Sequence, residues 1–163
     1  MSLAPFDPIR ALRVLTEHGV RFVMIGGLAG RVWGSPAVTN DLDVCHDTTG
    51  DNLAALSVAL SAIDARLRGV DEEVGWRPTT DALQAADSFT LVTDAGNLDL
   101  LAHPAGTDGY GDLVATASAM KIGDVTVKVT DLEDLIRMKR AAGRPKDLIE
   151  VEVLGAVLDE RDD

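Results

Sequence analysis

One cysteine, Cys45, stands in 163 residues, so no disulfide can close within the chain. Aromatic side chains make up only 4% of the sequence, and Trp33 and Trp76 read as packing or loop anchors rather than as platforms for stacked bases. Cations are outnumbered, 15 Lys and Arg against 27 Asp and Glu, and the net charge of −12 repels a polyanion over most of the surface. No Lys or Arg occurs from Val32 through Ala65. Long apolar runs are also missing: the longest, Leu53 to Ile63, is broken by Ser57 and Ser61, far short of the roughly 18 residues that a membrane span needs. With no secretory pattern before Ala4, the expected compartment is the cytoplasm. What remains is an ordinary globular composition, 46% hydrophobic and 26% charged, and a length that suits one domain over residues 1–163.

Along the chain, helical and strand periodicities alternate. Asp7-Pro8 opens a helix expected over Pro8 to His18, with Ile9, Leu12 and Leu15 on one face. Val20 to Ile25 reads as a strand that stops at Gly26-Gly27, and Leu28 to Trp33 as a short helix ended by Gly34-Ser35-Pro36. Asp41 to Cys45 alternates like a strand, Asn52 to Leu67 has helical spacing, and Asp71 to Pro78 is expected to be a loop before a short helix from Thr80. Ser88 to Thr93 and Leu98 to Ala102 form an expected hairpin around Asp94-Ala95-Gly96-Asn97. After a Gly-rich loop, Val125 to Val129 is a strand, and Thr130 with Glu133 has the spacing of a capping box for a helix ending near Gly143. A last helix is expected from Lys146 to Leu158, with a frayed acidic tail. The expected fold is α/β (α+β): a mixed sheet flanked by helices, with helices at the C-terminus.

Asp41 and Asp43 lie one residue apart on a strand, so both carboxylates leave the same face while Leu42 and Val44 point to the other. Held that close, they repel unless a cation sits beside them, and Mg²⁺ or Mn²⁺ suits such a pair. Asp99 is the single charge in Leu98-Asp99-Leu100-Leu101 and needs a partner of its own. Gly26-Gly27, between a strand and a helix start, lets the backbone approach an anion.

These motifs resemble those of the DNA polymerase β-like nucleotidyltransferases. The correspondence runs through Ile25-Gly26-Gly27-Leu28-Ala29, Gly34-Ser35-Pro36 and Thr39-Asn40-Asp41-Leu42-Asp43, with Asp99 in the place of a third carboxylate. The chain is also similar to the small proteins related to AbiEii toxins of abortive infection, through these motifs and the segment Lys139-Arg140-Ala141-Ala142-Gly143-Arg144-Pro145-Lys146-Asp147. The resemblance implies transfer of a nucleoside monophosphate from a nucleoside triphosphate to an acceptor, either an RNA end, a protein or a small molecule. It implies Asp41, Asp43 and Asp99 as the catalytic, metal-holding carboxylates, and a nucleotide site built from Gly26, Gly27, Arg31, Ser35, Lys139, Lys146 and Asp147. It also implies a possible partner protein from a toxin–antitoxin pair. One departure stands out: Leu28 follows Gly-Gly where the superfamily commonly has Ser or Thr, which leaves backbone N–H groups, Ser35 or Arg31 to hold phosphate.

Lys139 can be placed without the resemblance, because it falls on the apolar stripe of Leu132, Leu135 and Ile136, from which a lysine snorkels outward or faces a cleft. Asp147 heads the stripe of Val151, Leu154 and Leu158, where a carboxylate also complements a helix N-terminus. His18, His46 and His103 lack the spacing of a metal-binding pair. Two other readings stay open: a catalytically inactive, antitoxin-like nucleotide-binding module, and a metal-dependent phosphohydrolase. Nonspecific binding to duplex DNA is not expected.

Overall fold

Asp7 caps the first helix, its carboxylate accepting the Arg10 N–H at 3.1 Å, and Pro8 supplies the first helical residue. The computed structural model describes residues 4–162. Helix α1 (Pro8–Glu17) leads into β1 (Phe22–Ile25), α2 (Gly26–Trp33), β2 (Asp41–His46) and α3 (Gly50–Ala62). Then come β3 (Arg66–Leu67), a 3₁₀ turn (Glu72–Val74), α4 (Thr80–Gln84), β4 (Ser88–Thr93) and β5 (Gly96–Leu101). Helix α5 (Tyr110–Val114), β6 (Ser118–Ile122), β7 (Val125–Val129), α6 (Leu132–Ala142) and α7 (Pro145–Asp162) complete the chain.

Four local expectations are corrected. Helix α3 ends at Ala62 instead of reaching Leu67, because Asp64 takes φ 50° and turns Arg66 and Leu67 into a strand paired with β4. The cap of α6 is Asp131, not Thr130: the Asp131 carboxylate accepts the Glu133 N–H at 3.2 Å, while the Thr130 hydroxyl is buried without a partner. The short helix near residue 80 is capped by Thr79, one residue earlier, whose hydroxyl accepts the Ala82 N–H at 3.1 Å. The acidic tail does not fray over the described residues, since α7 runs to Asp162 and Arg161 reaches back to Asp131. Strand β6 and helix α5 were not foreseen.

The seven strands form one mixed sheet in the order β3-β4-β5-β2-β1-β7-β6. Strand β2 runs antiparallel to β1 and parallel to β5, so the two strands that bear the candidate carboxylates are neighbours at the centre of the sheet. Leu42, Val44, Leu98 and Leu100 are all within 1% of full burial on one face, which carries the core against α1 and α3. Helices α2, α6 and α7 pack on one another and, through α2, on β1 and β2. They cover only part of the opposite face. Over β4 and β5 that face carries Ser88, Thr90, Asn97 and Asp99, none of them buried.

Candidate active site

Pairing across the sheet sets the carboxylates in a row. Asp43 stands directly opposite Asp99 on β5 and Ile25 on β1, and Asp41 stands opposite Asn97. The Asn97 amide donates to Asp41 Oδ1 at 2.9 Å, which fixes that carboxylate's orientation. Gly26 follows in a left-handed conformation, φ 71°, and a Cβ there would lie 2.0 Å from Asp43 Oδ2. Only glycine lets the chain turn into α2 while the Asp43 carboxylate rests against its backbone. Gly27 is crowded too, since a Cβ there would lie 2.9 Å from Thr39 Cβ.

Helix α2 starts with no side-chain cap, so its first N–H groups open into a cleft of about 600 Å³. The cleft is lined by Gly26, Gly27, Thr39, Asp41, Asp43 and Asp99 on the sheet side, and by Lys139, Arg144, Lys146 and Asp147 from α6 and the start of α7. Its volume lies within the roughly 300 to 1,000 Å³ typical of small-ligand sites. Asp147 is only 3% exposed, and its carboxylate accepts from Arg144 Nε at 2.7 Å and from the Arg144 backbone N–H at 3.2 Å. Burial alone would raise its pKa; the Arg144 hydrogen bonds and charge outweigh it and hold the group below the usual carboxylate range.

Arg31 and Ser35 are not brought into the cleft. Arg31 is exposed and donates to the carbonyls of Pro36 and Ala37, at 3.4 and 2.9 Å. Ser35 is buried, donating to Glu150 Oε2 at 2.8 Å and accepting the Ala37 N–H. Both hold residues 34–40 against the helices and so deliver Thr39 to the site. Leu28 packs against the core and does not line the cleft, so no hydroxyl at its position is available to a bound phosphate.

Residues 7–162 match the family described as nucleotidyl transferase of unknown function (DUF2204). The chain belongs to this family. No curated protein sequence matches it significantly. Solved structures share the fold at low identity. TM1012 from Thermotoga maritima, a candidate nucleotidyltransferase, is 16% identical with a TM-score of 0.53, covering 96% of this chain and 97% of its own. The lincosamide antibiotic adenylyltransferase LnuA, solved with lincomycin bound, is 12% identical with a TM-score of 0.60, covering 92% and 95%. The antibiotic-resistance factor ANT(2'')-Ia is 15% identical with a TM-score of 0.53, covering 94% and 90%.

In this nucleotidyl transferase the charge balance of the cleft favours a cation. Asp43 is pushed up to about 7, first by its burial, then by the charge of Asp99 and the hydrogen bond shared with it, then by Asp41; Lys139 offsets only part of this. Among the described residues no three carboxylate, imidazole or thiolate groups close into a cage of protein ligands. Asp41 and Asp43, one residue apart on β2 and both lining the cleft, fit a divalent ion that takes one or two carboxylates and completes its shell with water and phosphate oxygens.

Two contributors escaped the sequence reading. Asn97 orients Asp41, and Arg68 donates from Nη2 to Asp99 Oδ1 at 2.9 Å. The alternation Arg66-Leu67-Arg68 was the available signal for an edge strand that presents Arg68 to the carboxylate face, but it was absorbed into the periodicity of the preceding helix. Cys45 and His46 are buried at the end of β2, with the thiol pushed up to about 12 and the imidazole down to about 4, both chiefly by desolvation.

Proposed function

We propose that this chain, as one nucleotidyltransferase domain, moves a nucleoside monophosphate from a nucleoside triphosphate to an acceptor hydroxyl. Mg²⁺ or Mn²⁺ would be held by Asp41 and Asp43, with Asp99 completing the set. The observation that carries the reading is the facing of two arrays across one cleft: carboxylates in cross-strand register on the sheet, and Lys139 on α6, Arg144 just before α7 and Lys146 in its first turn. When bound, the metal polarises the phosphoryl oxygens and offsets the charge that develops on them.

The uncapped N–H groups at Gly26-Gly27 hold phosphate oxygens, which the helix start favours. Lys139 and Lys146 place their charge where the leaving pyrophosphate accumulates it, and Arg144 is oriented by Asp147. Asp99 accepts the proton of the acceptor hydroxyl as its oxygen bonds to the α-phosphorus and the bond from that phosphorus to the bridging oxygen breaks. A small-molecule acceptor is supported by LnuA, a lincosamide adenylyltransferase of the same fold, and by the bounded volume of the cleft. A toxin–antitoxin role with a partner protein rests on the AbiEii-like motifs alone.

A second reading, nucleotide binding without turnover, is favoured by the ion pair between Arg68 and Asp99. Incubating the protein with each α-labelled triphosphate and Mg²⁺, in the presence of RNA, protein or small-molecule pools, separates the two. Transfer of label that is lost in Asp41→Asn and Asp43→Asn is the expected result, with weakened triphosphate binding in Lys139→Met. Binding with no labelled product from any pool would favour the second reading, and transfer that survives both Asp substitutions would overturn the first.

A further inference from the structure

Asp99 is engaged on two sides. On one side it stands in cross-strand register with Asp43, and on the other it receives Arg68 at 2.9 Å. Arg68 continues the β3 edge by one residue, its backbone N–H donating to Thr90 O at 2.9 Å, and Thr90 is the cross-strand partner of Asp99. The row Arg68, Thr90, Asp99, Asp43 thus crosses four strands on one face of the sheet, and its outer end is a cation that belongs to the protein.

The hold on Asp99 is built from little. Arg68 uses one nitrogen, Nη2, both for Asp99 and for the Leu91 carbonyl at 2.7 Å, while its Nε is buried without a partner. Strand β3 has two residues, and Gly69 immediately after Arg68 sits at φ 76°, so the segment leaves the sheet at once. A guanidinium held by one nitrogen beside a turn can leave its carboxylate at small cost to the rest of the sheet.

Resting on the metal-dependent reading above, we propose that Arg68 competes for Asp99 with a second divalent ion, one beyond the ion held by Asp41 and Asp43, as in sites where two ions flank a transferred phosphoryl group. With Arg68 in place the Asp99 carboxylate is already engaged by a cation. Among the described residues Asp41 and Asp43 are the cleft-side carboxylates of the sheet with no ion-pair partner, so the cleft with triphosphate holds one ion on them. The second ion gains its anchor only when Arg68 leaves Asp99. Arg68 is then a positioning residue, which decides whether the third carboxylate is available to metal and to the acceptor's proton.

Mn²⁺ titration followed by electron paramagnetic resonance, in the presence of α,β-methylene-ATP, reads this as a stoichiometry. The parent should bind about one ion per chain and Arg68→Met about two, with Arg68→Lys returning towards one because the charge is restored. A merely structural role for Arg68 would lower the melting temperature without adding a bound ion. About two ions in the parent would overturn the proposal even if Arg68→Met failed to fold, and so would about one ion in a folded Arg68→Met protein. No bound Mn²⁺ in any of the proteins would instead bring down the metal-dependent reading, and this inference with it.

Discussion

Asp43 is partly buried between two other carboxylates, and that placement fixes how the metal-free protein responds to pH. Its pKa rises from an ordinary 3.8 to about 7 in the fold, for the burial and like-charge reasons given above. Between those values the folded chain binds the proton more tightly than the unfolded chain does. The stability that Asp43 contributes is therefore complete in acid and is lost as pH rises through about 7. His46 works in the opposite sense: burial lowers it from 6.5 to about 4, so its contribution grows as pH rises. The two overlap in any single melting curve. Subtracting one curve from the other removes His46, and in chelator the melting temperature of Asp43→Asn should gain on that of the parent from about pH 4 to about pH 8. Parallel curves would show that Asp43 carries no raised pKa.

Helix α7 has no Ser, Thr or Asn at its start, and Asp147 does the capping from the third helical position, accepting the Arg144 N–H as well as the guanidinium. Asp147→Ala should cost about 1 to 2 kcal/mol, the range of a lost helix cap. The urea midpoint should fall with an unchanged slope, and Asp147→Asn, which keeps an acceptor, should lose less. Triphosphate affinity lost without a change in midpoint would place Asp147 among the ligand-binding groups instead. The contrast between Asp147 and Thr130 shows what spacing can and cannot tell. Helix α6, the strand over Val125–Val129 and the hairpin of β4 and β5 were legible because their patterns are local. The capping roles were not, since Thr130 and Asp131 both carry a suitable oxygen and only tertiary packing, which buries Thr130 at the end of β7, decides between them. Helix α3 was overrun for a related reason: Leu67 continues the helical stripe in sequence, but pairing with Leu91 on β4 claims it. Of the candidate site, Asp41, Asp43 and Gly26-Gly27 were readable from a single stretch, whereas the pairing of Arg68 with Asp99 joins residues 31 apart through the sheet and leaves no periodic trace.

The distribution of charge over the whole molecule decides what it can attract. The basic stretch from Arg137 to Lys146 looks in sequence like one cluster, but folding divides it. Arg137 is bound to Asp112 and Asp134, Arg144 to Asp147, and Arg140 lies against a separate hollow with Glu133 and Asp159. Among the described residues Lys139 and Lys146 are the cleft cations with no carboxylate within 4.0 Å, so the cleft itself offers a phosphate backbone few positive charges. Around them stands a surface of net charge −12. Each duplex phosphate neutralised adds roughly 0.9 to the slope of log affinity against log salt, so two contacts limit its magnitude to about 2. Random duplex DNA should therefore show no appreciable binding at physiological salt, and an RNA end gripped in the cleft should show only a shallow salt dependence. Anisotropy titrations with both ligands across a salt series test this. Tight duplex binding with a steep slope would mean that cations outside the cleft form a continuous track, and would move the acceptor from a small molecule to a nucleic acid.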